Sequence, residues 1–201
     1  MSGELSADHV ETVKPEVEAD ADWALANQLE LMAQEAGRMP TVLVVDDEPE
    51  IVEELADDLR LEGYQVETAS DGQEALSRIA ANPEIALLVA DIRMPVMDGV
   101  ALIKKLREDH ADRPIQVIFL TGHAGLDEAV EAIRLEAFEF LTKPVSLSHL
   151  AHVVSLAREM LNLKLHEKNL RDFFLREIAR LTHRVETLER ENEVLRRAAK
   201  P

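Results

Sequence analysis

Runs of apolar residues, broken at regular intervals by short polar clusters, fill the middle of the chain. Thr41 to Val45 reads TVLVV, a β-branched run with the composition of a buried strand, and it stops at Asp46-Asp47-Glu48. Pro49 then opens a helix to about Glu62, with Ile51, Leu55 and Leu59 on one face. Gly63-Tyr64 turns the chain into a second strand, Val66 to Ala69, and Ser70-Asp71-Gly72 caps a helix carrying Ala75, Leu76 and Ile79 that Asn82-Pro83 ends. The run Leu87 to Ala90 suits a buried parallel strand that delivers Asp91 to its end, and the turn formers Met94-Pro95 and Asp98-Gly99 follow. A helix over Val100 to Glu108, a strand over Ile115 to Thr121, a helix over Leu126 to Leu135, a strand over Phe138 to Thr142 and a helix from Ser146 onward complete the pattern. Five strand–helix units within about 120 residues predict an α/β fold: a five-stranded parallel doubly wound sheet with helices on both faces.

The pattern changes on either side of this core. Residues 1–20 are acidic and lack sustained periodicity, which predicts a disordered lead-in. From Asp22 the residues Leu25, Leu29, Met32 and Ala36 fall at helical spacing before Gly37, giving a short helix over about 22–36 with Trp23 as a packing anchor. Beyond the core, Leu156, Met160, Leu163, Leu170, Phe174, Ile178, Leu181, Val185, Leu188 and Leu195 recur at steps of three and four, with Glu167, Asn192 and Ala199 completing a heptad seam. The consecutive steps of four at Leu170, Phe174 and Ile178 form a stutter that locally unwinds a supercoil. No glycine or proline lies between Val145 and Lys200, so this helix continues the last helix of the core. From Leu156 to Ala199 it spans about 66 Å at 1.5 Å per residue, too long to fold back on a domain of this size. Asn192 in the seam followed by Leu195 is the pattern of parallel two-stranded pairing, which predicts a parallel homodimer with Phe174, Ile178, Leu181, Val185, Leu188, Asn192 and Leu195 in the interface. The expected organisation is an acidic extension at 1–39, a domain at 40–158 and a coiled-coil tail at 159–201.

Charge sharpens this division. The net charge is −18; residues 1–39 carry 9 acids and 2 bases, residues 40–161 carry 24 and 10, and residues 162–201 carry 7 and 10. Such a body repels nucleic acid and anionic membranes, leaving the tail as the one electrostatic contact to either. Along that tail Lys164, Lys168, Arg171, Arg176, Arg180 and Arg184 read as a solvated flank interspersed with acids rather than a nucleic-acid surface. The absence of cysteine excludes a disulfide framework, a thiolate metal site and a thiol nucleophile. The N-terminus MSGELSADHVE has neither a basic n-region nor an apolar stretch, which predicts a cytoplasmic protein with no membrane association.

Parallel strands place their carboxyl ends along one edge, and there Asp46-Asp47, Asp91, Thr121 and Lys143 come within reach of one another. Carboxylates held close repel, and a divalent cation with hard oxygen ligands, Mg²⁺, relieves them. The metal, the Lys143 ammonium and the Thr121 hydroxyl would surround an incoming phosphoryl group as Asp91 attacks it, leaving an acyl phosphate. Each feature alone has a plainer reading: Asp-Asp-Glu-Pro as a helix cap, Thr121-Gly122 as a turn, Lys143-Pro144 as a loop, Asp98 as a turn residue. Their common placement at strand ends favours chemistry.

The motifs VVDDE, ADIRMPVMDG, LTGHAG and EFLTKP stand in the order and spacing of one family, so that Pro40 to about Arg158 resembles the receiver domain of bacterial two-component response regulators, a flavodoxin-like fold. The resemblance implies Asp91 as phosphoacceptor, Asp46 and Asp47 with the backbone carbonyl of Arg93 as Mg²⁺ ligands, Thr121 as switch hydroxyl, Phe140 as switch aromatic, and Lys143 as the phosphate-pairing lysine before a cis Lys143-Pro144 bond. Arg93 and His123 match the positions that tune acyl-phosphate lifetime. The implied protein is a phosphorelay component and not an enzyme beyond its own phosphorylation and dephosphorylation. A histidine kinase or phosphotransfer protein phosphorylates it, and it signals through the face of the fourth helix, fifth strand and fifth helix (Leu126 to Arg158) and through the dimeric tail by protein contact, with no room for a separate DNA-binding domain after the receiver. Two other readings stay open: a phosphohydrolase with an aspartyl-phosphate intermediate, whose usual first-strand signature differs from VVDDEP, and a dimeric scaffold or phosphotransfer protein using the tail. His166-Glu167 and His183 are the only phosphotransfer candidates on the tail; histidine kinases carry a phosphorylated His followed by an acid on a dimeric helix, but here no proline follows at the expected place, and Gly125 is the last glycine, which leaves no glycine-rich nucleotide loop downstream.

Overall fold

In the computed structural model, residues 26–27, 30, 39–111, 113–122, 130–131 and 133–199 are described. The chain forms two units, Met1–Gly37 and Arg38–Pro201. Of the first, Ala26, Asn27 and Glu30 are described; they are helical and exposed, and the rest of the helix expected over 22–36, with Trp23, lies outside the described residues. His123 and residues 126–129 and 132 lie outside them too.

The second unit runs β1 (Thr41–Val45), α1 (Pro49–Leu61), β2 (Gln65–Ala69), α2 (Gly72–Ala81), β3 (Ile85–Asp91), α3 (Gly99–Asp109), β4 (Gln116–Thr121), the helical residues 130–131 and 133–134 (α4), β5 (Glu139–Thr142) and α5 (Leu147–Ala198). The five strands make one sheet in the order β2-β1-β3-β4-β5, every pair parallel. The order reverses at β1 and β3, the switch point where open α/β sheets form a crevice at the strands' carboxyl ends.

Why the strands read as unbroken apolar runs follows from the two cores. Leu43, Val45, Leu88, Ala90, Val117 and Phe119 point to one face and pack with Ile79 of α2 and Leu102, Ile103 and Leu106 of α3. Their neighbours Val42, Val44, Leu87, Val89, Ile118 and Leu120 point to the other, against Leu55 and Leu59 of α1 and Leu150, Val153, Val154, Ala157 and Leu161 of α5. A strand covered on both faces needs no polar alternation.

Element boundaries move slightly from expectation. β3 starts at Ile85 rather than Leu87 and includes Asp91 itself; β4 and β5 begin one residue later than predicted, at Gln116 and Glu139. Polar side chains cap two helices: the Asp71 carboxylate accepts from the N–H groups of Gln73 and Glu74, and that of Asp98 from Ala101. Asp98 is therefore a helix cap. α5 is continuous over 52 residues, about 78 Å at 1.5 Å per residue. Its last buried residue is Leu161, and Leu165 is the last to pack against the body. Among the described residues no helix is long and apolar enough to cross a membrane.

Candidate functional site

Each group at the sheet's carboxyl edge is delivered by a strand end. β1 ends at Val45, so Asp46 is the first residue beyond it, and its N–H still bonds the Ala69 carbonyl of β2. Asp91 is the last residue of β3 and pairs in register with Leu120, which sets Thr121 one step further along the neighbouring strand. Lys143 follows β5, and its N–H bonds the Thr121 carbonyl at 2.7 Å. The Lys143-Pro144 peptide bond is cis.

Three residues far apart in sequence converge. The Lys143 ammonium donates to Asp46 Oδ2 at 2.6 Å and to Asp91 Oδ2 at 3.0 Å, and Glu48 Oε1 lies 3.8 Å away. Carboxylate oxygens of Asp46, Asp47 and Asp91 lie within 4.8 Å of one another. The side chain of Asp46 has no exposed surface, that of Asp91 is 10% exposed, and Lys143 is 15% exposed. Thr121 is buried beside them. Phe140 is half-buried against the core that contains Phe119, its register partner on β4.

Electrostatics set the charge balance of the site. Burial pushes the Asp46 carboxyl above its ordinary value even though Lys143 and the Glu48 N–H hydrogen-bond to it. Burial also works against the Lys143 ammonium, but its hydrogen bonds to Asp46 and Asp91 outweigh that and hold its pKa above the usual lysine value. One ammonium thus faces three clustered carboxylates. The donor set is all oxygen, the geometry is compact, and the negative charge is under-compensated, which fits a hard divalent cation such as Mg²⁺.

The loop after β3 is held by backbone contacts. Ile92 N–H bonds Leu120 O, Gly99 N–H bonds Ile92 O and Gly72 N–H bonds Met97 O. The Arg93 N–H lies 3.4 Å from Asp91 Oδ1. At Gly99 a Cβ would collide with the Asp91 carbonyl oxygen, so only glycine lets α3 begin this close to the phosphoacceptor candidate. Of the Asp-Asp-Glu-Pro stretch, Glu48 takes the cap position of α1 without a side-chain hydrogen bond, and the Asp46 carboxylate accepts from the Glu48 N–H. Glu48 at the rim was not singled out from sequence; its place directly after Asp46-Asp47 was the available signal.

Comparison with known proteins gives a consistent picture. The model of the response regulator receiver domain matches residues 42–155. The chain is 35% identical over 138 residues to the two-component response regulator PprB of Pseudomonas aeruginosa, an alignment covering 68% of this chain and 49% of that protein. It is 41% identical over 120 residues to the transcriptional regulatory protein PrrA of Mycobacterium tuberculosis, covering 59% and 50%. The chain therefore matches about half or less of the length of such relatives. Among solved structures, a CheY-like receiver domain protein from Methanospirillum hungatei superposes with a TM-score of 0.59 at 27% identity, covering 63% of this chain and 99% of that one. A receiver domain protein from Clostridium thermocellum gives 0.58 at 32% identity, covering 62% and 98%. The family match ends at residue 155, so most of α5 lies beyond it.

Proposed function

The chain belongs to the response regulator receiver domain family, and from that membership we propose that Asp91 accepts a phosphoryl group from a phosphohistidine of a histidine kinase or phosphotransfer protein. The observation that carries this reading is the Lys143 ammonium bridging Asp46 and Asp91 beside a third carboxylate. An Asp91 carboxylate oxygen bonds to phosphorus as the donor's P–N bond breaks, and the imidazole leaves with the electron pair. Lys143 is positioned to pair with the phosphoryl oxygens once they arrive, and the Thr121 hydroxyl to donate to one of them. Asp46, Asp47, an Asp91 oxygen and the Arg93 carbonyl would hold Mg²⁺, which supplies charge neutralisation for the transferring group. Asp46, the residue a first-strand nucleophile would require, is fully buried and already bonded to Lys143 and Glu48, which favours Asp91 over a phosphohydrolase arrangement.

The signal leaves the site by two routes in this reading. Thr121 and Phe140 link it to the face of α4, β5 and α5, and α5 carries it into a tail that pairs with another copy. Output is through protein contact. In support, several tail bases are already neutralised within the helix, in the pairs Arg180–Glu177, Arg190–Glu186 and Arg197–Glu193. Incubation with a small acyl phosphate donor and Mg²⁺ tests the chemistry: one base-labile, hydroxylamine-sensitive phosphoryl group per chain is expected for the native protein, and none for Asp91→Asn or in excess chelator. Full labelling of Asp91→Asn would overturn the assignment.

A further inference from the structure

The projecting part of α5 is apolar along one stripe and open to water. Phe174, Ile178, Leu181, Val185, Leu188 and Leu195 are all exposed, although together with Asn192 they hold every third or fourth place of a single helix. An amphipathic helix of this length needs a partner for that stripe. After the stutter the frame is regular: Ile178, Val185, Asn192 and Ala199 occupy the first core position of each heptad, and Leu181, Leu188 and Leu195 the second. β-branched residues in the first place with leucine in the second favour two strands, and one asparagine fixes the register by pairing with itself.

The flanking charges carry the argument further. Charges remote from the stripe find partners in their own helix, Glu186 with Arg190 at 3.3 Å and Glu193 with Arg197. Four charges beside the stripe, Arg184, Glu189, Glu191 and Arg196, make no ion pair among the described residues. In a parallel, in-register pair of helices the residue before a first core position faces the residue five places on in the other strand. That sets Arg184 opposite Glu189 of the partner subunit and Glu191 opposite Arg196 of the partner subunit, and symmetry repeats both. All eight charges of the pair are then complementary. An antiparallel arrangement pairs Arg184 with Glu191 alone, and it buries Asn192 against Leu181, where its amide has no mate.

We propose that residues 178–199 form a self-selecting zipper whose partner is a second copy of this chain, parallel and in register, chosen by the pairs Arg184–Glu189 and Glu191–Arg196. This rests on the parallel dimeric tail expected from the sequence and proposed above, and adds the charge pairs that select it. Two receiver bodies then lie at the same end of the tail, as joint output requires.

Charge exchange tests it on the full chain. Glu191→Lys and Arg196→Glu each turn two attractive pairs into repulsive ones, so each variant alone dissociates roughly tenfold more readily than the native dimer at low salt. Mixed, the two variants restore every pair and form a heterodimer in preference to either homodimer, read by sedimentation with one variant labelled. Because the chain has no cysteine, Leu195→Cys supplies an independent measurement: in a parallel register it oxidises to a disulfide-linked dimer. If the native protein is monomeric at about 10 μM, weaker than the roughly 8 kcal/mol a micromolar dimer requires, the dimeric tail itself fails. A native dimer whose variants pair as tightly as the native chain, with no heterodimer preference, overturns the zipper assignment while the dimeric tail stands. Weakening by Glu191→Lys with no effect of Arg196→Glu indicates the antiparallel arrangement and overturns it likewise.

Discussion

The Arg113 guanidinium does the work of several backbone donors at once. It reaches the carbonyls of Ile79 at 2.6 Å, Asn82 at 3.2 Å, Pro83 at 3.1 Å and Ile85 at 2.9 Å, tying the end of α2 to the start of β3. A cation there also meets the negative end of the helix dipole. Burial lowers its pKa without discharging it at neutral pH. Arg113→Ala leaves those carbonyls without their cation, and urea unfolding should show a loss of about 2–3 kcal/mol. Glu74 gives a pH signature. The Ser70 backbone N–H, the Arg78 side chain and the Ser70 hydroxyl hold its carboxyl down to about 2, against an ordinary value of 4.5. A folded pKa below the unfolded one contributes stability that is complete above about 4.5 and lost as the pH falls toward 2. Acid titration of stability should therefore be steeper for the native chain than for Glu74→Gln, with the two curves converging near pH 2. Parallel curves across that range would contradict the assignment.

Such residues mark where the sequence was legible and where it was not. Asp46, Asp47, Asp91, Thr121 and Lys143 could be placed because strand polarity alone sets them on one edge, whatever the loop details. Arg113 could not, since its partners are the backbone carbonyls of Ile79, Asn82, Pro83 and Ile85, about 30 positions upstream, which carry no side-chain signal. Val96 could not either: a β-branched residue at φ 65°, 85% exposed, holds a left-handed turn that glycine or asparagine would ordinarily occupy.

At the scale of the element, α5 is one helix with two apolar stripes on adjacent faces, one buried and one exposed. Leu150, Val153, Val154, Ala157 and Leu161 bury it against the sheet, while Leu156, Met160 and Leu163, one position round, face water. The seam can thus be covered as far back as Leu156 without disturbing the body. Helix continuity and the heptads were readable because both are local. The extent of body packing was not, because Leu161 and Leu165 differ from their exposed neighbours only in what the fold brings beside them. Glu167 occupies a core place in this receiver-proximal stretch, where two like carboxylates would meet in a dimer. Replacing it by leucine should tighten the dimer about tenfold or more and raise the helicity retained on dilution. Unchanged dissociation would show that the seam does not extend upstream of the stutter.

At the scale of the whole molecule, the acidic site and the tail share one rigid connector, since the sheet that presents Asp91 also carries the α5 turns whose other side begins the seam. If phosphoryl binding shifts those turns, it changes the free energy of pairing, and linkage makes the effect reciprocal: whatever factor the occupied site imposes on dimer dissociation, dimerisation imposes on occupancy of the site. Beryllofluoride with Mg²⁺ serves as the phosphoryl mimic, and Leu188→Glu as the monomeric form, because it places a carboxylate in the centre of the seam far from the body. The expected result is a change of roughly fivefold or more in dimer dissociation on adding the mimic, matched by the same factor between native and Leu188→Glu protein in the mimic's affinity. Equal affinities in both proteins, with a dissociation constant indifferent to the mimic, would mean that site and tail are joined by covalent continuity alone and that the signal leaves through the face of α4, β5 and α5.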